Sequence, residues 1–318
     1  MKKFILKLLA YAVIISSITA VINTYYVINA ENNSEIKDVP QSIQVCNFGS
    51  SHGFNGFNYE DAGKKLTCFN FSLHSQSLLY DYRILQHYRD NINPGATIFL
   101  TISYFSFFGR PEIESDIFES KNRRYYKFLP SELILAYDWR TDLYLNWLPA
   151  LSPEGLTQTF KLIFGIRTNK DDGHWERITD SKDAAIDAPQ AYVRHISKQR
   201  DENGVRIRRQ ESFEAFYGII HLCKELGARP ILVTPPYMHE YTDEIKRNDP
   251  EFFGDFYSLI DEIRYDTGLE YYDYAFDERF CGDYSLFVNS DHLNRNGARK
   301  FTDILLLEAL SIDVMPPE

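Results

Sequence analysis

The chain has 318 residues, enough to bury a substantial core in one large domain or two smaller ones. Hydrophobic residues at 44% and charged residues at 25% are ordinary for a folded protein, and 22 Tyr with 23 Phe suit a thick α/β core or a carbohydrate-facing surface. A formal net charge of −11 argues against a general nucleic-acid binder, which needs a basic footprint on phosphate.

The first thirty residues form a separate object. Lys2, Lys3 and Lys7 precede an apolar stretch from Leu8 to about Ile28, interrupted only by Ser, Thr and Asn. Roughly twenty such residues cross a bilayer. The basic flank belongs on the cytoplasmic side, which places residues 31–318 outside as a single-pass membrane protein. A cleaved signal peptide is the rival reading, but Ile28-Asn29-Ala30 lacks a small residue three before the cut, and Tyr25 and Tyr26 suit interfacial anchors.

After a polar linker, Glu31 to Pro40, strands and helices alternate. IQVCNF is an apolar run ending at Gly49, and KLTCFNFS is a second ending near Ser72. SLLYDYRILQHYRDNI has apolar residues three and four apart, which predicts an amphipathic helix. Pro94-Gly95 is expected to break it before the β-prone strand ATIFLTISYF. Later, FEAFYGIIHLCKELG predicts a helix closed by Gly227, and RPILVTPPY a strand stopped by two prolines. FYSLIDEIRYDTG (helix), LEYYDYAF (strand) and NRNGARKFTDILLLEAL (helix) complete the pattern. Such alternation predicts an α/β fold, a parallel sheet covered on both faces.

The stretch from about Phe105 to Arg209 breaks that rhythm and is too long for a simple loop. It reads as a largely helical insertion with a mobile polar part, through NKDDGHWERITDSKDA and KQRDENGVRIRR. Within it, residues 139–166 carry Trp139, Leu143, Trp147, Leu156, Phe160, Ile163, Phe164 and Ile166, too much apolar surface for a loop in water. Pro149 and Pro153 prevent one continuous spanning helix. Either the segment folds back on the sheet and completes a core, or it exposes an apolar patch that docks on the bilayer or on a membrane protein.

Four cysteines, Cys46, Cys68, Cys223 and Cys281, are too few for a disulfide scaffold and show no metal-ligand spacing. Cys46 and Cys68 lie in or beside the first two strands, where a bridge or buried thiols both fit. Asp171, Asp172 and His174 read as a solvated acidic loop rather than a metal site, and His74 and His239 sit in loops without zinc-like spacing. No P-loop and no Gly-x-Gly-x-x-Gly follows a strand, so no cofactor is implied.

Two stretches carry chemistry. The first is Gly49-Ser50-Ser51-His52-Gly53, where an apolar strand ends on small residues. It is either a tight βα turn or a turn that holds a serine at the strand's C-terminal edge, with backbone N–H groups nearby for an oxyanion. The second is SDHLNRNGARKF, with Asp291 and His292 in a polar loop before the last helix. In an open parallel sheet both positions lie at the C-terminal end of the strands, where sites gather. They can converge although about 240 residues separate them.

These stretches resemble the GDSL/SGNH hydrolase superfamily, over residues 43–103 and 210–310. Gly49-Ser50-Ser51 is similar to its Gly-x-Ser turn after the first strand, and DHLNRNGARKF to its D-x-x-H loop before the last helix. The resemblance implies a three-layer α/β/α sandwich with Ser51 as nucleophile and His292 as base. The wording is closer to a membrane-anchored branch of cell-envelope modification, which includes alginate and peptidoglycan O-acetyltransferases and the teichoic-acid D-alanylation protein. That branch implies an extracytoplasmic serine acyltransferase that O-acetylates a cell-surface glycan, fed by a multi-pass membrane acyltransferase. A carbohydrate esterase or deacetylase, and a non-catalytic envelope assembly protein on the same scaffold, are the alternatives.

The chain departs from the family pattern at two points. Asn289 stands where the acid is expected, so Asp291 takes the role only if the loop turns it toward the ring; Asn289 is the alternative orienting residue. The family's oxyanion glycine has no counterpart in NFSLHSQSL, leaving Ser75 or Gln76 to occupy that place, and no asparagine follows the third strand. His52, beside the nucleophile, is expected to point elsewhere and is not read as the base.

Overall fold

The computed structural model describes residues 1–29, 36–164 and 181–313. Asp171, Asp172, His174 and Ile166 lie outside the described residues, so the acidic-loop reading falls there too. The chain divides into two compact units: Met1–Lys37 with Ile117–Asp171, and Asp38–Asp116 with Asp172–Glu318.

In the first unit, α1 (Lys2–Asn29) is long and apolar enough over Lys2–Tyr26 to cross a membrane. The second unit opens with β1 (Ile43–Phe48), α2 (Ser51–Gly56), β2 (Cys68–Asn70), α3 (Leu78–His87) and β3 (Ile92–Thr101). The chain then returns to the first unit for α4 (Phe118–Asn122), α5 (Trp139–Asp142) and α6 (Pro153–Ile163). The second unit resumes with α7 (Ser181–His195), α8 (Gln210–Leu226), β4 (Arg229–Thr234), α9 (His239–Asn248), α10 (Phe252–Thr267) and β5 (Tyr271–Asp273). A small antiparallel pair, β6 (Phe287–Asn289) and β7 (His292–Leu293), precedes α11 (Arg295–Leu310).

The five main strands pair in the order β2-β1-β3-β4-β5, all parallel. Alternation along them sorts the two faces. Val45, Phe99, Ile231 and Val233 join Ala298, Phe301, Leu305 and Leu306 of α11 in one core cluster. Cys46, Phe48, Ile98, Leu100 and Leu232 point the other way and are also buried. On that side α8 packs on β3, β4 and α3. Gly227 and Gly268 adopt φ +64° and +70°, closing α8 and α10 at the glycines that end their sequence patterns.

Pro94-Gly95 does not break the chain before β3; both residues lie inside it. Pairing with β1 jumps from Ile43–Ile92 to Val45–Thr97, so residues 93–96 bulge out of the ladder. Gly95, at φ +83°, turns its N–H to the carbonyl of Gly227. The α9 helix is an element that apolar periodicity did not announce.

All four cysteines are free, so the possible Cys46–Cys68 bridge is not formed. Burial pushes the Cys46 thiol well up and the Cys68 thiol to about 12, which keeps both protonated and inert.

The expected insertion is divided between the units. Residues 198–209, expected to be mobile, are tied to the second unit by ions. Arg200 and Arg206 both reach Asp249 at 2.7 Å, Arg206 adds Asp255 at 2.7 Å, and Arg208 pairs with Glu262 at 2.9 Å. Residues 139–164 do not complete a core: Trp139, Trp147, Leu156, Phe160, Ile163 and Phe164 are all more than half exposed. Between these two regions, α7 returns to the second unit and reaches the loop that carries Asp291.

Candidate active site

The turn after β1 is tight for steric reasons. Gly49 has φ +143°, and a Cβ there would lie 2.6 Å from Cβ of Thr101 on the neighbouring strand. A Cβ on Gly53 would lie 2.4 Å from the Ser72 hydroxyl. The two glycines therefore let α2 begin hard against the sheet edge, with Ser51 as its first residue. Gly53 and Phe54 both donate to the carbonyl of Ser50, closing the first turn. Beneath it, Asn47 donates to Ser72 Oγ at 2.7 Å and to Asn70 Oδ1 at 2.8 Å.

From the other end of the chain, the β6–β7 hairpin brings His292 to this turn. Ser51 Oγ lies 2.8 Å from His292 Nε2. Asn289 Oδ1 accepts from the backbone N–H of His292 at 2.9 Å and of Asp291 at 3.3 Å. Two backbone donors thus fix the amide with its oxygen toward the ring. His292 Nδ1 lies 3.0 Å from that same oxygen, so the proton sits on Nδ1 and Nε2 is left with a lone pair facing the serine. The loop does turn Asp291 toward the ring, with Asp291 Oδ1 also 3.1 Å from His292 Nδ1. Asn289 and Asp291 share the same ring nitrogen.

Asp291 is 1% exposed and surrounded by imidazoles. Its Oδ2 contacts His52 Nε2 at 3.2 Å and His195 Nε2 at 3.1 Å, and the Arg194 guanidinium approaches Oδ1 to 3.6 Å. Burial alone would raise its pKa; His292, His195 and His52 outweigh that and hold the carboxyl well below the usual range. The acid remains ionised.

His52 is the complementary case. Burial pushes its pKa down to about 3 despite the hydrogen bond to Asp291, so it stays neutral at physiological pH. Its Nδ1 lies 3.0 Å from the Tyr237 hydroxyl and 2.9 Å from Ser103 Oγ. Burial raises the Tyr237 phenol well above 10, making it a dependable donor. His52 Nδ1 therefore accepts, and Nε2–H donates to Asp291. Its ring hydrogen bonds go to Ser103, Tyr237 and Asp291, and not to Ser51.

Helix α7 supplies the remaining support. Asp187 Oδ2 accepts from Ser290 N at 3.2 Å and Ser290 Oγ at 2.7 Å, while Arg194 spans Asp187 and Asp291. The hairpin is bracketed from outside the sheet by residues that belong to no motif in the sequence. The chemistry-bearing side chains that sequence reading missed are His195, Arg194, Asp187, Ser103 and Tyr237. Only the pairing of TISYF with the first strand offered a hint, since it puts Ser103 just past the sheet edge beside the turn.

Ser75 and Gln76 are not gathered here. Gln76 is buried, and its amide nitrogen donates to Phe71 O at 3.0 Å and to Asp81 Oδ1 at 2.6 Å. Ser75 is exposed at φ +56°. A long amide next to a buried carboxyl satisfies that carboxyl before it serves a cleft. The ligand atoms of His52, Asp291 and His292 lie within 4.8 Å of one another, a grouping that could hold a metal ion, but all three side chains are already engaged as described. No protein-family model matches the chain, and no curated protein is significantly similar to it.

Proposed function

We propose that this chain is a serine acyltransferase of SGNH-like type, with a three-layer α/β/α domain held outside the cell by α1. The reading rests on one observation: Ser51 Oγ at 2.8 Å from a histidine whose other nitrogen is held by Asn289 and the ionised Asp291. His292 Nε2 takes the Ser51 proton as Oγ attacks an acyl ester or thioester carbonyl, and the resulting imidazolium is stabilised by the Asp291 charge. That proton passes to the departing alcohol or thiol as the acyl–Ser51 ester forms. An acceptor hydroxyl, deprotonated in turn by His292, then attacks the ester, and Ser51 regains its proton. Asn289 positions the ring; Asp291 supplies the charge that an amide cannot.

The developing oxyanion needs donors aimed at it. Ser51 opens α2, so its backbone N–H has no intrahelical acceptor and serves that role. The other expected donors, Ser75 and Gln76, contribute nothing to this reading. The acyl group is acetyl and the acceptor a cell-surface polysaccharide, with the donor delivered by a multi-pass membrane acyltransferase; this part follows the family resemblance.

The test is twofold. A fluorophosphonate probe should label the full-length protein at Ser51, and release of acetate from an artificial acetyl ester should give way to acetylated sugar when oligosaccharide is added. Hydrolysis unaffected by any oligosaccharide would make the protein an esterase. Absence of labelling and of turnover would leave an assembly protein on the same scaffold.

A further inference from the structure

Residues 139–164 invert the usual order of a water-facing segment. Ser152 Oγ accepts from the Gly155 N–H at 2.9 Å and donates to Pro149 O at 2.9 Å, so α6 starts with a capped turn and Pro153 at its first position. Among the described side chains of this turn and helix, those buried are small: Pro149, Ala150, Ser152, Gly155 and Thr159. A Cβ on Gly155 would lie 1.7 Å from Pro149 O, so only glycine permits this close return of the chain. The residues turned outward are large and apolar: Leu156, Phe160, Ile163 and Phe164, between 53% and 63% exposed. Their spacing of four, three and one puts them on a single stripe of the helix. Trp147, 72% exposed, extends that surface.

The same segment is fastened to the apolar helix. Asn23 Nδ2 donates to Trp147 O at 3.1 Å, and Asn23 Oδ1 accepts from Ala150 N at 3.3 Å. Thr19, Ile22, Asn23 and Tyr26 of α1 are half-buried, whereas its other described side chains are exposed. Those four positions share one face, and α6 and the turn at Pro149–Leu151 pack on α1. Close approach through small residues, with large apolar ones directed away, is how helices associate in lipid.

We infer that α6 and the Trp147 turn form a second membrane-contacting element, lying in the lipid interface beside the last two turns of α1 with Leu156, Phe160, Ile163 and Phe164 toward the acyl chains. The occupant is lipid because the stripe lies on a helix that packs on α1, which is itself apolar enough to span. With eleven residues α6 is about 16 Å long, too short to cross. Trp139, stacked under the Arg140 guanidinium at 5.3 Å, and Tyr144 supply the aromatic and basic groups that sit at headgroup level. The element does not depend on the acyl chemistry proposed above.

Tryptophan quenching by brominated lipid tests it in the full-length protein, purified alone and reconstituted in phosphatidylcholine vesicles. One variant keeps Trp147 and carries Trp139→Phe and Trp175→Phe. A second replaces all three tryptophans with Phe and adds Phe160→Trp, and a third adds Tyr11→Trp as a reporter on α1. Bromines near the glycerol end should quench Trp147 and Phe160→Trp roughly twofold, and bromines at mid-chain should quench Tyr11→Trp most strongly. The proposal falls if Tyr11→Trp is quenched while the other two are untouched by bromine and open to aqueous iodide; the stripe would then be a protein-docking face. It falls equally if Tyr11→Trp is not quenched, since α1 would not be in the bilayer. Labelling of Ser51 by the fluorophosphonate is read separately and is unaffected by either result.

Discussion

The sheet unit and residues 139–164 of the other unit handle polarity in opposite ways. The sheet unit buries large apolar side chains and, at one edge of the sheet, a connected set of polar ones, Asp291, His52, Ser103 and Ser290, each with a partner. The unit built on α1 buries Phe118, Tyr125 and Tyr126 as a water-facing unit would, but its residues 139–164 bury Ala150, Gly155 and Thr159 and turn Trp147, Phe160 and Phe164 outward. Burying polar groups costs stability unless every one is satisfied, and exposing large apolar groups costs stability in water. One arrangement is tolerable where the polar set does chemistry. The other is tolerable where the solvent is not water. The contrast teaches that burial has to be read against the surroundings each unit meets.

The sharpest break of the comparison is Ser51→Ala. It removes one hydroxyl from a turn held by backbone bonds, so the fold should persist while acyl transfer falls by at least about a thousandfold. Ser50→Ala should keep most of the activity, because Ser50 Oγ contacts Ser103 and not His292. Steady-state rates beside circular dichroism check both, and a dead Ser50→Ala with an active Ser51→Ala would reverse the assignment.

Next in size is the acid. Asp291→Asn should lower kcat by about a hundredfold or more, since it takes away the negative charge beside the imidazolium; Asn289→Ala should cost about tenfold. Equal and small losses would reduce the site to a Ser–His pair. The two glycines compare the units directly. Gly49→Ala forces an L residue to φ +143° against Thr101, and should lower both melting temperature and activity. Gly155→Ala forces Pro149 away and should loosen the Trp147 turn, seen as a shift in Trp147 emission, while hydrolysis of a soluble acetyl ester is retained.

The smallest expected effect concerns Asp81, which is buried under the Ser51 turn and bonded to Gln76 and to the Gly49 N–H. Burial pushes its pKa up to about 7 against those bonds. Between about pH 4 and 7 the folded chain keeps a proton there that the unfolded chain has released, so its stability contribution is complete below about pH 4 and lost as pH rises through 7. Asp81→Asn should flatten that part of the stability profile, measured by denaturant melts at several pH values.

Much of the sheet unit was legible along the chain. IQVCNF, RPILVTPPY and the helices ended by Gly227 and Gly268 are written in runs of apolar residues and their stops, because strand and helix periodicities are local properties. The Ser51 turn and the His292 loop were legible for the same reason: each is a short pattern at the end of an element. The Pro94-Gly95 bulge was not, since a strand can absorb both residues when its partner is β1 and a neighbouring carbonyl receives the Gly95 N–H.

What the sequence alone determined, then, is where most strands and helices of the sheet unit lie, that an apolar helix lies near the N-terminus, and which serine and histidine stand at strand ends. Only the tertiary structure decided that Asn289 and Asp291 share one ring nitrogen, that His52 bonds to Asp291, and that α7 returns to bring Asp187, Arg194 and His195 to the hairpin. It also decided that residues 139–164 turn their large side chains outward. Apart from the shared ring nitrogen, which depends on how a hairpin turns within three residues, the site contacts join residues about a hundred or more apart, whose directions are set by packing and not by neighbours in the chain.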